Sequence, residues 1–273
     1  MRVFTIVGIS GSGKTTVAEE VIRRLRARGL SVASAKSIAC GRPGVERCLA
    51  GGGSPHSREP FTIDTPGSNS YRHRQAGSQL VVTRAERETA VLFQEELPFS
   101  RLLPFFEGYD FVVLEGDYDC PAPRIVAGWE PADVEERLND LAFAVSGRAA
   151  AGRDRLGGLP AFDPADGEAM DALTRLILER VYEKLPDLDP DCCSLCGLGC
   201  RRLGAAILRG EARREDCRLS SPAVTLEVDG RKLPMAPFVQ RILRNSALAV
   251  VRELDGYREG ARVVIRVGGE GKP

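Results

Sequence analysis

Residues 8–16 read Gly-Ile-Ser-Gly-Ser-Gly-Lys-Thr-Thr, a complete GxxxxGK[ST] phosphate-binding loop. The chemistry follows from the residue types. Gly8, Gly11 and Gly13 let the backbone curl so that its N–H groups point inward at an anion, with Ser10, Ser12 and Thr16 completing the cradle. The partial positive charge of the following helix start adds to the same spot. Lys14 is placed to reach the β- and γ-phosphates, and the Thr15 hydroxyl to ligate Mg2+. The pattern therefore predicts that the chain handles a nucleoside triphosphate.

Magnesium at such a loop needs a carboxylate at the end of a nearby strand. Two residues qualify. Asp64 opens Asp-Thr-Pro-Gly, a D-x-x-G pattern in which the aspartate holds the metal through water and the Gly67 N–H senses the terminal phosphate. Glu115 ends the most apolar strand candidate, where it could hold a metal-bound water or orient the attacking one. Lys14, Asp64 and Glu115 are thus the candidate catalytic set. The blander readings are a turn residue for Asp64 and a cap or loop carboxylate for Glu115. No Asn/Thr-Lys-x-Asp guanine-reading motif is present, so the residues alone leave the base open. Arg148, Arg153 and Arg155 could close over phosphates as a lid, but such runs are usually solvated, and that reading is preferred. Lys36, Arg72 and His73 are weaker candidates for phosphate or substrate contacts.

A second constellation is made of thiols. Cys193, Cys196 and Cys200 are tightly spaced, and Cys217 follows after sixteen residues. Zinc sites more often show two separate CxxC knuckles. Three clustered cysteines with one distant partner fit a [4Fe–4S] cluster better, with zinc or free thiols as alternatives. The segment after Cys200 reads as one helix that returns the chain to the fourth ligand. Cys192 is a spare, and Cys40, Cys48 and Cys120 lack partner spacing, so each reads as a buried or loop thiol.

These residues need elements to hold them. Val3–Val7 is an apolar strand before the loop, and Thr16–Arg28 a helix after it. Further strands are expected at Ser31–Ala35, Leu80–Thr83, Phe111–Leu114, Arg124–Val126 and Leu141–Val145. Phe61–Ile63 is short and β-prone. Helices are expected at Ser70–Ala76, Ala90–Glu96 and Glu168–Lys184. Cys40–Pro60 reads as a mobile, Gly-rich loop. Strands alternating with helices predict an α/β fold: a P-loop NTPase with a doubly wound, mostly parallel sheet. Ligands of such sheets sit at the carboxyl ends of the strands, where Gly8, Gly67 and Gly116 all fall. Three divisions follow: a nucleotide-binding domain over 1–187, a cysteine segment over 188–220, and a small α+β domain over 221–273. The last carries a hairpin turning at Asp229–Gly230, a helix over Pro237–Leu254 and a strand over Arg262–Val267.

Composition narrows the classes. The 273 residues carry 38 basic and 38 acidic side chains, so the formal net charge is zero. That argues against broad binding to nucleic-acid backbones. No apolar run approaches the roughly 20 residues of a membrane span. The N-terminus enters the first strand directly, so no signal peptide is expected, and eight cysteines in such a chain point to metal in a reducing cytoplasm. Two histidines make a His-based catalytic site improbable.

The residues Gly8–Thr16, Phe61–Gly77 (Phe-Thr-Ile-Asp-Thr-Pro-Gly-Ser-Asn-Ser-Tyr-Arg-His-Arg-Gln-Ala-Gly), Val112–Gly116 and Pro123–Ile125 together resemble the molybdopterin-guanine dinucleotide biosynthesis protein B (MobB) family. The likeness covers most of 1–185, and its 64–77 block is far more specific than the phosphate loop. The tail resembles the iron–sulfur extension of some members. The resemblance implies a GTP-binding accessory protein with Mg2+ and slow hydrolysis. It also implies a homodimer, acting with the nucleotidyltransferase that attaches GMP to molybdopterin. The chain departs from the pattern at Asn69, at Asp117-Tyr118 and in the inserted loop after Lys36. Alternatives of other classes are a P-loop small-molecule kinase and a non-catalytic, redox-sensing adaptor.

Overall fold

The computed structural model describes residues 1–38, 62–117, 119–187, 196–219, 224, 226–228, 231–233, 235, 237–258 and 263–264. Chain order begins β1 (Arg2–Gly8), α1 (Lys14–Ala27), β2 (Val32–Lys36), α2 (Asn69–Gln75), β3 (Leu80–Arg84), β4 (Thr89–Phe93) and α3 (Phe99–Leu102). It continues with β5 (Phe111–Glu115), β6 (Arg124–Ala127), α4 (Pro131–Glu135), β7 (Ala142–Ser146), β8 (Arg155–Leu156), β9 (Leu159–Pro160) and α5 (Gly167–Arg180). Last come α6 (Cys200–Arg209), β10 (Leu226–Val228), β11 (Arg231–Leu233) and α7 (Pro237–Val251). The chain divides into two units, 1–187 with 200–214, and 188–199 with 215–273.

The first unit is built on a five-stranded sheet in the order β2-β5-β1-β6-β7, with every pairing parallel. This is the expected α/β architecture. β1 sits at its centre, and Val3, Phe4, Ile6 and Val7 are all fully buried. Alternation sends Phe4 and Ile6 to one face, where Val17, Val21 and Leu25 of α1 and Leu173 and Ile177 of α5 meet them. Val3 faces the other way, onto Phe106, Val112, Leu114, Cys120 and Ala122. Burial of this kind stabilises by about 1.5–3 kcal/mol per large apolar side chain.

Several sequence expectations differ from the structure. Ala90–Glu96 is not a helix: Thr89–Phe93 pairs antiparallel with β3, Leu80 opposite Phe93 and Val82 opposite Val91. The hairpin closes through Ala85 N–H to Glu88 O at 2.8 Å, and it stands outside the parallel sheet. Its cross-strand partners outweigh the helix preference of Ala, Leu and Glu. Thr62 and Ile63 form no strand, and Phe61 lies outside the described residues. The helix expected to Lys184 ends at Arg180. Val181 and Leu185 remain buried beyond it, and Glu183 bridges antiparallel to Arg2. The long helix expected between Cys200 and Cys217 also stops early. Gly210, at φ +77°, ends α6, and a 3-10 turn over Arg214–Asp216 follows. The Cys40–Pro60 loop, the Asp229–Gly230 turn and most of Arg262–Val267 lie outside the described residues.

In the second unit, β10 and β11 form an antiparallel pair with Leu226 opposite Leu233, and α7 is the main helix. Helix α6 belongs to the first unit. Arg180 donates to Leu208 O at 3.0 Å, Arg201 pairs with Asp140 at 2.7 Å, and Ala205 and Leu208 join the core of α1 and α5. Gly204 is required there, because a Cβ would run into the Tyr182 hydroxyl. Among the described residues no helix is long and apolar enough to cross a membrane.

Candidate functional site at the carboxyl end of the sheet

The phosphate loop leaves β1 at Gly8 and enters α1 at Lys14. It is held from both sides. A side chain at Gly8 would strike the Ala127 carbonyl of β6, so only glycine lets the loop lie this close. Gly13 caps α1 in the left-handed region at φ +94°. From the other side, Arg148 N–H donates to Ser12 O at 3.1 Å, and a Cβ on Gly147, itself at φ +80°, would collide with that same oxygen. Ser12 is fully buried, and Ser12 N–H donates to Ile9 O at 3.3 Å. Lys14 Nζ donates to the same Ile9 carbonyl at 2.5 Å, which places the ammonium over the ring of the loop.

Sheet register supplies the carboxylate. Glu115 ends β5 opposite Ile6 of β1 and Lys36 of β2. Its Oε1 accepts from Thr15 Oγ1 at 2.7 Å and lies 3.2 Å from Lys36 Nζ. A hydroxyl and a carboxylate joined at the phosphate loop form the hard-oxygen donor set that Mg2+ prefers. The residues present therefore fit a magnesium–triphosphate ligand. Gly11, Gly13, Lys14, Thr15, Thr16, Arg148 and Pro164 line a cleft of about 330 Å³, within the size range of small-ligand sites.

Asp64 is held differently. Its Oδ1 accepts from Thr65 N–H at 2.9 Å, Ser68 Oγ at 3.1 Å and Ser70 Oγ at 2.9 Å. Its Oδ2 lies 3.8 Å from Arg74 Nη1 and is buried without a hydrogen-bond partner among the described residues. Every one of these contacts stays within 64–74. Ser68 also caps α2 by accepting from Tyr71 N–H at 3.1 Å. Gly67, at φ +86°, is exposed at the turn between them. The structure thus joins Thr15 and Glu115 directly, with Lys36 as a further member, places Lys14 on the phosphate loop against the Ile9 carbonyl, and shows Asp64 and Gly67 organising their own turn.

Sequence reasoning weighed Arg148 as a lid over phosphates, preferring a solvated reading, and missed its pairing with Trp129 beside the loop. Trp129 follows β6 and Arg148 follows β7. The Arg148 guanidinium carbon lies 4.0 Å from the centroid of the indole ring. A Cβ on Gly11 would come within 3.2 Å of the Trp129 ring. The signal available in the sequence was positional: both residues follow strands at the ligand end of a parallel sheet.

The thiols are divided. Cys200 opens α6 in the first unit, Cys196 and Cys217 lie in the second, and Cys193 is outside the described residues. Among the described residues, no group of three or more His, Cys, Asp and Glu side chains is placed to hold a metal. Cys120 is a core thiol, and burial pushes its pKa up to about 11.

Residues 53–142 match the family described as molybdopterin guanine dinucleotide synthesis protein B, or MobB. A protein of Methanocaldococcus jannaschii, provisionally named a molybdopterin-guanine dinucleotide biosynthesis adapter protein, is 27% identical over 98% of this chain and 97% of its own length. The chain is thus similar to the MobB family over residues 53–142, and to one relative over nearly its whole length. The Haemophilus influenzae molybdopterin-guanine dinucleotide biosynthesis adapter protein is 30% identical over 44% of this chain and 60% of its own. The crystal structure of Bacillus subtilis MobB aligns with a TM-score of 0.49 and 22% identity, over 67% of this chain and all of that one. The family match takes in Asp64, Gly67 and Glu115, and the M. jannaschii relative spans the cysteine-bearing tail as well.

Proposed function

We propose that this chain is a MobB-type, GTP-binding adapter of molybdopterin guanine dinucleotide biosynthesis. Its triphosphate and Mg2+ are held by Gly8–Thr16 and Glu115. The observation that carries the nucleotide site is the Thr15–Glu115 hydrogen bond at 2.7 Å, made at the phosphate loop between residues one hundred positions apart. The names of the M. jannaschii and H. influenzae relatives supply the pathway. In this reading Lys14 neutralises the β- and γ-phosphates, Thr15 contributes its hydroxyl to the metal, and Glu115 orients water for slow hydrolysis. Asp64 joins the site through a metal-bound water, its Oδ2 being the acceptor still available. The partner is the nucleotidyltransferase that consumes GTP and molybdopterin, and the working form is a cytoplasmic homodimer. A [4Fe–4S] cluster on Cys193, Cys196, Cys200 and Cys217 rests on their sequence spacing. Iron and sulfide analysis of protein purified without air tests it, and stoichiometric zinc without iron overturns it.

Calorimetry on Lys14→Ala tests the site itself. The lysine lies outside the apolar core, so the fold should persist while affinity for Mg-GTP falls at least a hundredfold, as expected when a charged hydrogen-bonding partner of phosphate is lost. Unchanged affinity for GTP and ATP would overturn the assignment. Turnover stimulated by a small-molecule acceptor, and not by the partner transferase, would favour a kinase instead.

A further inference from the structure

The phosphate loop explains where a triphosphate sits but not what holds the base. The chain has a single tryptophan, Trp129, and it is 51% exposed. A residue of this size exposes so much apolar surface at a cost, unless something covers it. Here its ring packs against one planar cation, and about half of the residue stays exposed with that cation in place. The Arg148 guanidinium lies over the indole at 4.0 Å.

Both residues are fixed from behind. The Asp133 carboxylate accepts from Trp129 N–H and Glu130 N–H, each at 3.1 Å, so the tryptophan backbone cannot swing away. Arg148 N–H is tied to Ser12 O at 3.1 Å, and Ala149 N–H to Gly128 O at 2.9 Å, which knits the two strand-end loops to each other and to the phosphate loop. The indole lies against Gly11, and Arg148 lines the cleft together with Pro164. One flat face of the guanidinium is taken by the tryptophan. The cleft that Arg148 lines contains Lys14 and Thr15 but is not lined by Trp129 itself.

We propose that Trp129 and Arg148 form a stacking platform for the purine of the bound nucleotide. Trp129 holds the guanidinium plane, Arg148 presents that plane to the base, and Pro164 supplies the apolar wall of the same cleft. Arginine suits this role because its planar, delocalised group stacks on aromatic faces where a lysine ammonium cannot. Every nucleobase has a π face, so the platform supplies affinity for the base without choosing among purines. The inference rests on the nucleotide site proposed above and adds the residues that grip its base end.

The test separates the base from the phosphates. Affinities for Mg-GTP and for inorganic tripolyphosphate with Mg2+ are measured by calorimetry on the full chain. Arg148→Lys, which keeps the charge and loses the plane, and Trp129→Ala should each weaken GTP about tenfold, the usual loss when a base-stacking partner is removed. Neither should change tripolyphosphate binding by more than about twofold, and Trp129→Phe should recover most of the GTP affinity. In the unaltered chain GTP should quench the lone tryptophan emission, and tripolyphosphate should not. Equal losses for both ligands would make Arg148 a phosphate contact and overturn the platform. So would unchanged GTP affinity in both variants. If the unaltered chain binds neither ligand, the phosphate site itself falls, and the platform with it. If it binds tripolyphosphate as tightly as GTP, the phosphate site stands and only the platform falls.

Discussion

Glu115 and Asp64 are the two acidic residues that could serve the nucleotide, and the molecule positions them by opposite means. Glu115 is placed by the sheet. It ends a buried strand between two parallel neighbours, and its partners, Thr15 and Lys36, are far away in sequence. Asp64 is placed by its own turn, through Thr65, Ser68, Ser70 and Arg74. A carboxylate fixed by register keeps its place whatever the loops do, because moving it means breaking a ladder of hydrogen bonds and a packed core. One fixed by local hydroxyls moves as a unit with its turn. The glycines repeat the contrast: Gly147 is crowded by Ser12 and Ala127, whereas among the described residues nothing lies within 4 Å of a Cβ at Gly67.

The largest effect should come from crowding the rigid end. Gly147→Ala forces a side chain onto a left-handed residue and into the Ser12 carbonyl. It should cost about 3 kcal/mol and displace the phosphate loop. Urea denaturation and GTP calorimetry would record both losses together, and a fully stable variant with normal affinity would mean that the two loops are not locked. Next in size, Glu115→Gln removes the charge facing Thr15 and Lys36. Mg-dependent GTP hydrolysis should fall tenfold or more with the fold intact. A normal rate across a magnesium titration would reduce Glu115 to a strut between β2 and the loop.

Asp64→Asn should act more on structure than on chemistry. Loss of charge-assisted acceptance from Ser68, Ser70 and Thr65 should cost about 1–2 kcal/mol, with a smaller fall in hydrolysis than Glu115→Gln gives. A larger fall would show that Asp64 reaches the metal when nucleotide binds, which is the outcome that sharpens the comparison most. The smallest effect belongs to Gly67→Ala. Left-handed strain alone costs about 1 kcal/mol, and no clash with the described residues adds to it. Thermal melts of Gly67→Ala and Gly147→Ala side by side decide whether crowding, and not conformation, separates the two regions.

The rigid end was the legible end. Val3–Val7, the loop, α1 and Phe111–Leu114 follow one another in the sequence or carry unbroken apolar runs, so strand, loop, helix and the acid at Glu115 were all readable. The hairpin of β3 and β4 was not. Ala90–Glu96 is rich in helix formers, and its strand state depends on pairing with Leu80–Arg84 across Ala85–Glu88, four residues that carry no Asn-Gly or Asp-Gly signal. The pairing of Trp129 with Arg148 escaped for a topological reason. Nineteen positions separate them, and they meet because β6 and β7 lie side by side and end together. Spacing along the chain records neighbours on one element well and neighbours across elements poorly.

Helix α6 has a practical consequence for anyone dividing this protein. The chain quits the nucleotide unit at 187, comes back to it for 200–214, and quits it again. A fragment ending at 187 would strip Ala205 and Leu208 from the core that α1 and α5 share. It would also unmask the apolar flank beside Tyr182 and Leu141 where Gly204 now sits. Such a fragment is an invitation to aggregate. The natural place to cut is after Arg214. A protease nick between 188 and 199 would leave α6 gripping its groove, so the severed halves would co-elute on a sizing column and part only in denaturant.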